Sequence, residues 1–78
     1  MKQVKIYTTP TCIYCRMAKE FFKKNNVAYE EYYVANDDRA REDMIQKSHQ
    51  MGVPVIDIGG EIFVGFNPRE FAKALGLQ

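Results

Sequence analysis

The sequence predicts an α/β domain: a mixed four-stranded sheet flanked by three helices, in the order β-α-β-α-β-β-α. Three observations carry this. A helical pattern led by Cys12 lies between β-prone runs at residues 2–8 and 27–34, which makes a βαβ unit. Two further short runs, 53–58 and 61–64, are separated only by Gly59-Gly60, which makes an antiparallel hairpin. Asn67-Pro68 then opens a last helix. A parallel half joined to an antiparallel half gives a mixed sheet with helices on its faces.

In residues 2–8, Lys2, Val4 and Ile6 alternate with Gln3, Lys5 and Tyr7, and Pro10 stops the strand. From Cys12 to about Asn25, the residues Ile13, Met17, Ala18, Phe21 and Phe22 recur at helical spacing and predict a core-facing stripe. Lys23 and Lys24 suit the negative end of the helix dipole, and Asn25-Asn26 suits termination. The Tyr- and Val-rich run Val27–Val34 returns as a strand parallel to the first through a right-handed crossover.

Asn36, Asp37 and Asp38 supply N-cap chemistry for a second helix whose inner face is Ala40, Met44, Ile45 and Ser48, running to about His49 and ended by Gly52. His49 answers the dipole at that helix end. Val53–Ile58 is the third strand, with Pro54 at its start, where proline is tolerated. Gly59-Gly60 takes the positive φ angles of a hairpin turn, and Glu61–Val64 returns as the fourth strand. For the last helix Asn67 is the expected cap, Glu70 completes a capping box, Phe71, Ala72 and Leu75 face the core, and Gly76 is the stop.

The chain has 78 residues, 46% of them hydrophobic and 27% charged, which fits one domain spanning 1–78. Its net charge of +1 comes from interspersed acids and bases, so no nucleic-acid or lipid surface is indicated. No leader-like stretch stands at the start, and no apolar run approaches the roughly 18 residues a membrane span needs. A bridge between Cys12 and Cys15 closes too short a loop to staple a fold, so the two cysteines are there for chemistry in a reducing, cytoplasmic setting.

Placed in the first turn of its helix, Cys12 meets unpaired backbone N–H groups and the positive end of the dipole, both of which favour thiolate over thiol. It is the candidate nucleophile. Cys15 follows about one turn later on the same face, close enough to form a disulfide with it. Arg16 next to it is a possible electrostatic aid to the thiolate.

With the Cys-Ile-Tyr-Cys corner, Val53-Pro54 some forty residues on, and Gly65-Phe66 before the last helix, the whole chain resembles the glutaredoxin family of the thioredoxin superfamily, especially its short glutaredoxin-like redoxins. The resemblance implies a thioredoxin fold and a thiol-disulfide oxidoreductase. Within it Cys12 attacks the substrate disulfide and Cys15 resolves the mixed disulfide. The backbone of Val53, ahead of a cis Pro54, pairs with an extended substrate segment and the proline ring packs beside the sulfurs, while Tyr14, Gly65 and Phe66 line the substrate groove. Phe66 is equally compatible with core packing. The expected partners are protein disulfides or low-molecular-weight thiols, and ribonucleotide reductase is a candidate partner.

The chain departs from the commonest pattern at Ile13, where proline is usual, and at Thr8 and Thr9, where many glutathione-using members have a lysine. It departs again at Gly65-Phe66-Asn67-Pro68, which replaces a Gly-Gly-acid segment that grips glutathione. Both glutathione and thioredoxin reductase therefore stand as possible electron sources, with no bound cofactor expected. A self-contained metal site is not expected from two cysteines and His49. The alternative function is an iron–sulfur cluster carrier at a dimer interface, whereas the oxidoreductase reading expects a monomer.

Overall fold

A computed structural model describes residues 2–77, so the two end positions of the expected 1–78 domain lie outside the described residues. The elements are β1 (Val4–Thr8), α1 (Ile13–Lys24), β2 (Glu30–Tyr33), α2 (Asp38–Ser48), β3 (Val55–Ile58), β4 (Glu61–Val64) and α3 (Pro68–Leu75), in the expected order. The sheet runs β2-β1-β3-β4. β1 pairs parallel to β2, with Thr8 opposite Tyr33, and antiparallel to β3, with Tyr7 opposite Val55. β3 and β4 form the antiparallel hairpin, turning through Gly59 and Gly60 at φ 59° and 99°. This is the thioredoxin-like architecture that the resemblance implies.

Because side chains alternate across a strand, β1 and β3 serve two cores. Val4, Ile6, Ile56 and Ile58 pack with Ala18 and Phe22 of α1 and with Phe71 and Ala74 of α3. On the other face Tyr7, Val34 and Val55 pack with Ala40 and Met44 of α2. Phe71 is the centre of the first core, its ring centroid 5.4 Å from Phe22, 5.6 Å from Phe63 and 5.9 Å from Phe21.

Several local expectations are corrected. Of the stripe predicted on α1, Ile13 and Met17 are 68% and 39% exposed, and the buried residues are Cys15, Ala18 and Phe22. Two residues from Cys15 is roughly 200° round a helix of 3.6 residues per turn, so Ile13 and Met17 face away from the sheet. β2 begins at Glu30 rather than Val27, because Asn26 turns left-handed at φ 59° and Val27 donates its N–H to Phe22 O at 2.8 Å. Val27 therefore belongs to the helix stop.

α2 ends at Ser48, well before Gly52, with His49 itself at the C-cap in the left-handed region at φ 59°. The Ser48 hydroxyl donates to Met44 O at 2.7 Å and closes that turn. β3 begins at Val55, after Pro54, where pairing with Tyr7 starts. On α3, Pro68 does stand at the helix start, but the capping box is absent. The Asn67 amide donates back to Val64 O at 3.2 Å instead. The buried face of α3 is Phe71 and Ala74, three apart, with Ala72 and Leu75 only partly covered.

Candidate active site

β1 ends at Thr8, and the chain turns through Thr9–Thr11, with Cys12 N–H donating to Thr9 O at 3.4 Å. Cys12 is the N-cap of α1, with extended φ −89° and ψ 114°, so it stands just ahead of the first turn in which it was expected. Its Sγ accepts the backbone N–H of Cys15 at 3.0 Å. A side-chain acceptor at that position satisfies one of the otherwise unpaired amides of a helix start, and negative charge there is stabilised further by the dipole. The first turn of α1 holds no acidic residue to oppose a Cys12 thiolate.

The two sulfurs are joined as a disulfide, with Cα atoms 5.2 Å apart. They are not equivalent. Cys15 is 1% exposed inside the first turn, whereas Cys12 is only partly covered.

Pro54 is buried and follows a cis peptide bond from Val53. Continuing the register from Tyr7 and Val55 sets Pro54 opposite Thr8, at the end of the sheet that bears the cysteine corner. Gly65, at φ 91°, donates its N–H to Pro54 O at 2.8 Å and closes the other side. Among the described residues, neither the N–H nor the C=O of Val53 has a hydrogen-bond partner. Tyr14 is 61% exposed on the first turn of α1. Phe66 belongs to the aromatic core, with its ring 6.1 Å from Phe71. Thus Cys12, Cys15, Val53, Pro54 and Gly65 converge at one end of the sheet, with Tyr14 at its rim and Phe66 turned into the core.

Residues that sequence reasoning passed over surround this end. The large exposed apolar residues of the described chain are Ile13, Tyr14, Met17, Tyr33, Met51 and Val64. Tyr33 is opposite Thr8 and Val64 is opposite Val55, Met51 immediately precedes the Gly52-Val53-Pro54 segment, and the other three are on the first turns of α1. The Met51 loop is braced by Gln50, whose amide accepts Gly52 N–H at 2.6 Å and donates to Gly52 O at 3.1 Å.

Two polar networks were also missed. On the α1 side, Thr8 Oγ1 and Lys19 Nζ each donate to Glu31 Oε2 at 2.8 Å. Burial alone would raise the Glu31 carboxyl, but these hydrogen bonds together with the Lys19 charge outweigh it and hold the carboxyl below its ordinary range, while the bond to Glu31 raises the Lys19 ammonium. On the α2 side, Tyr7 donates to Asp43 at 2.5 Å, and Lys47 donates to Tyr7 at 2.8 Å and Asp57 at 2.9 Å. Burial and the Asp43 bond push the Tyr7 phenol up to about 12. The available signal was strand alternation: pairing with Ile6 places Glu31 on an inward position, where a charged residue needs a partner.

Comparison with known proteins agrees with this geometry. The family model described as Glutaredoxin matches residues 4–64. An uncharacterised glutaredoxin-like 8.6 kDa protein in the rubredoxin operon of Clostridium pasteurianum is 47% identical over 72 residues, which cover 92% of this chain and 96% of that one. Glutaredoxin 3 of Escherichia coli K12 is 36% identical over 61 residues, 78% of this chain and 74% of its own. Among solved structures, a mutant of the thioredoxin-like protein BC3987 superposes with a TM-score of 0.92 at 36% identity, covering both chains completely.

Proposed function

Since the chain belongs to the glutaredoxin family, we propose that it reduces disulfides by a dithiol mechanism in which Cys12 attacks and Cys15 resolves. The observation that carries this is the Cys15 N–H aimed at Cys12 Sγ from a helix start, with the second sulfur buried behind it. The Cys12 thiolate attacks one sulfur of the substrate disulfide, a mixed disulfide forms, and the other sulfur leaves as a thiolate that takes up a proton. The Cys15 thiolate then attacks Cys12 Sγ, and the Cys12–Cys15 bond forms as the substrate sulfur departs. The substrate gains two electrons and two protons, and the oxidised pair is returned to the dithiol by glutathione or by thioredoxin reductase.

The unpaired backbone groups of Val53 offer an extended substrate strand two hydrogen bonds beside the sulfurs. Tyr14, Gly65 and the exposed apolar side chains around them supply the contact surface, which favours protein disulfides over small polar ones. Ribonucleotide reductase remains a candidate among such proteins. The chemistry suits a monomer in a reducing compartment, the cytoplasm; none of the described helices is long and apolar enough to cross a membrane.

Cys15→Ser, incubated with a disulfide-bonded peptide, is expected to accumulate a peptide adduct on Cys12 detectable by mass, and Cys12→Ser to form none. Turnover retained in the Cys12 variant would refute the mechanism. Iron–sulfur carriage between two copies has less support: two copies would need all four of their thiolates, yet Cys15 is 1% exposed, and the bulky Ile13 and Tyr14 between the cysteines crowd a cluster.

A further inference from the structure

The resolving thiol has a problem that its partner does not. Cys12 is capped by a backbone N–H, but Cys15 is 1% exposed, and burial penalises the thiolate it must become in order to attack. A cation close to the sulfur would offset that penalty.

Lys19 stands four residues after Cys15 in α1, so the two side chains are neighbours on one face, with Cβ atoms about 5–6 Å apart. Helical side chains lean toward the N-terminus, which carries the lysine stem back over the Cys15 turn. The ammonium is not a loose surface charge. It is bonded to Glu31 at 2.8 Å, with side-chain exposures of 25% and 18% for the two partners. The same carboxylate oxygen accepts from Thr8, which is fully buried at the end of the strand leading into the cysteine corner. Lys19 is faced by Glu31 and Tyr33 of β2, by Tyr29 just before β2 and by Thr8 of β1, with its Nζ 5.9 Å from the Tyr33 ring. Its α1 neighbours Arg16 and Glu20 are exposed. Lys19 is thus the cation built into the sheet-facing side of the helix beneath Cys15.

We propose that Lys19, anchored by Glu31 and Thr8, is a positioning charge for the resolving step, stabilising the Cys15 thiolate as it attacks the mixed disulfide on Cys12. This rests on the dithiol reading above. In the step, Cys15 loses its proton and the Cys12–Cys15 bond forms. The bond from Cys12 to the substrate sulfur breaks, and that sulfur leaves as a thiolate and takes up a proton, so no outside oxidant or reductant is involved. Glu31 has the opposite electrostatic effect on Cys15, and the balance of the pair sets how readily the resolving thiol ionises.

The two ends of one ion pair therefore give opposite results, which a purely structural bridge cannot do. In a Cys12→Ser background, where Cys15 is the only thiol, its ionisation can be followed by thiolate absorbance. Lys19→Gln leaves the Glu31 charge alone and is expected to raise the Cys15 midpoint by about one pH unit, roughly a tenfold loss of thiolate at neutral pH. Glu31→Gln frees the lysine and is expected to lower it. Lys19→Arg keeps the cation and is expected to stay near the parent, as is the Lys19→Gln/Glu31→Gln double variant. With both cysteines present, Lys19→Gln is expected to accumulate the mixed disulfide with a peptide substrate while the alkylation rate of Cys12 is unchanged. Shifts of the same sign in the two single variants, or no shift in either, would overturn the proposal. If the parent protein turns over no disulfide at all, the oxidoreductase reading has failed instead, and the titration still reports on Lys19 separately.

Discussion

The Sγ of Cys12 and the backbone N–H of Cys15 are 3.0 Å apart, so the less buried sulfur of the pair is the cap of the helix in which the other is buried. One short segment thereby separates two roles. In the mechanism we propose, the cap position lowers the cost of charge on Cys12, and Cys15, withdrawn from solvent in the first turn, attacks once an adduct on Cys12 brings a target within reach. The consequences extend from the sulfurs to the elements that hold them.

Phe71 anchors α3 against the sheet and touches four other phenylalanines, including Phe66 beside the site. Phe71→Ala is expected to cost about 3–5 kcal/mol, since a large ring leaves a cavity in a fully buried position. Urea unfolding monitored by circular dichroism measures it. In a domain of this size that loss approaches the whole stability.

On the opposite face, Tyr7 links β1 to Asp43 and Lys47 of α2. Its folded pKa of about 12 is above the ordinary phenol value of 10.0. The protonated phenol is therefore favoured by the fold, and its contribution is complete below pH ~10 and lost as the pH rises toward 12. Tyr7→Phe is expected to lower stability by about 1 kcal/mol at neutral pH and to flatten the loss between pH ~10 and 12. Unfolding midpoints across that range report both effects.

His49 occupies a left-handed C-cap that suits glycine better. His49→Gly relieves the Cβ clash and is expected to raise stability by about 0.5–1 kcal/mol, read as a higher urea midpoint with unchanged slope. The same substitution leaves the cysteine corner untouched, so Cys12 reactivity is expected to stay the same.

The order of elements, the hairpin glycines and the cysteine corner were legible because each rests on local chemistry: alternation, positive φ and helix spacing. The cis bond at Val53-Pro54 was legible only through the family resemblance, since proline by itself favours trans. What was not legible depends on rotation and on partners distant in sequence. The apolar residues Ile13 and Met17 fit the spacing of a core stripe, and only the packing of Cys15, Ala18 and Phe22 on the sheet shows that they face outward. Asn67-Pro68-Arg69-Glu70 spells a capping box, yet the asparagine amide is taken by Val64 O. Lys19 and Glu31 are twelve positions apart and ordinary as surface charges, and they become a pair only once β2 lies beside β1.

The central claim is that Cys12 is the thiolate nucleophile because of its place at the start of α1. Its most direct test is alkylation of the reduced protein with iodoacetamide across pH, with the modified residue located by mass spectrometry. The expected result is modification at Cys12 with a midpoint clearly below the ~8.5 of an unperturbed thiol, and Cys15 protected. A midpoint at or above ~8.5, or preferential labelling of Cys15, would contradict it.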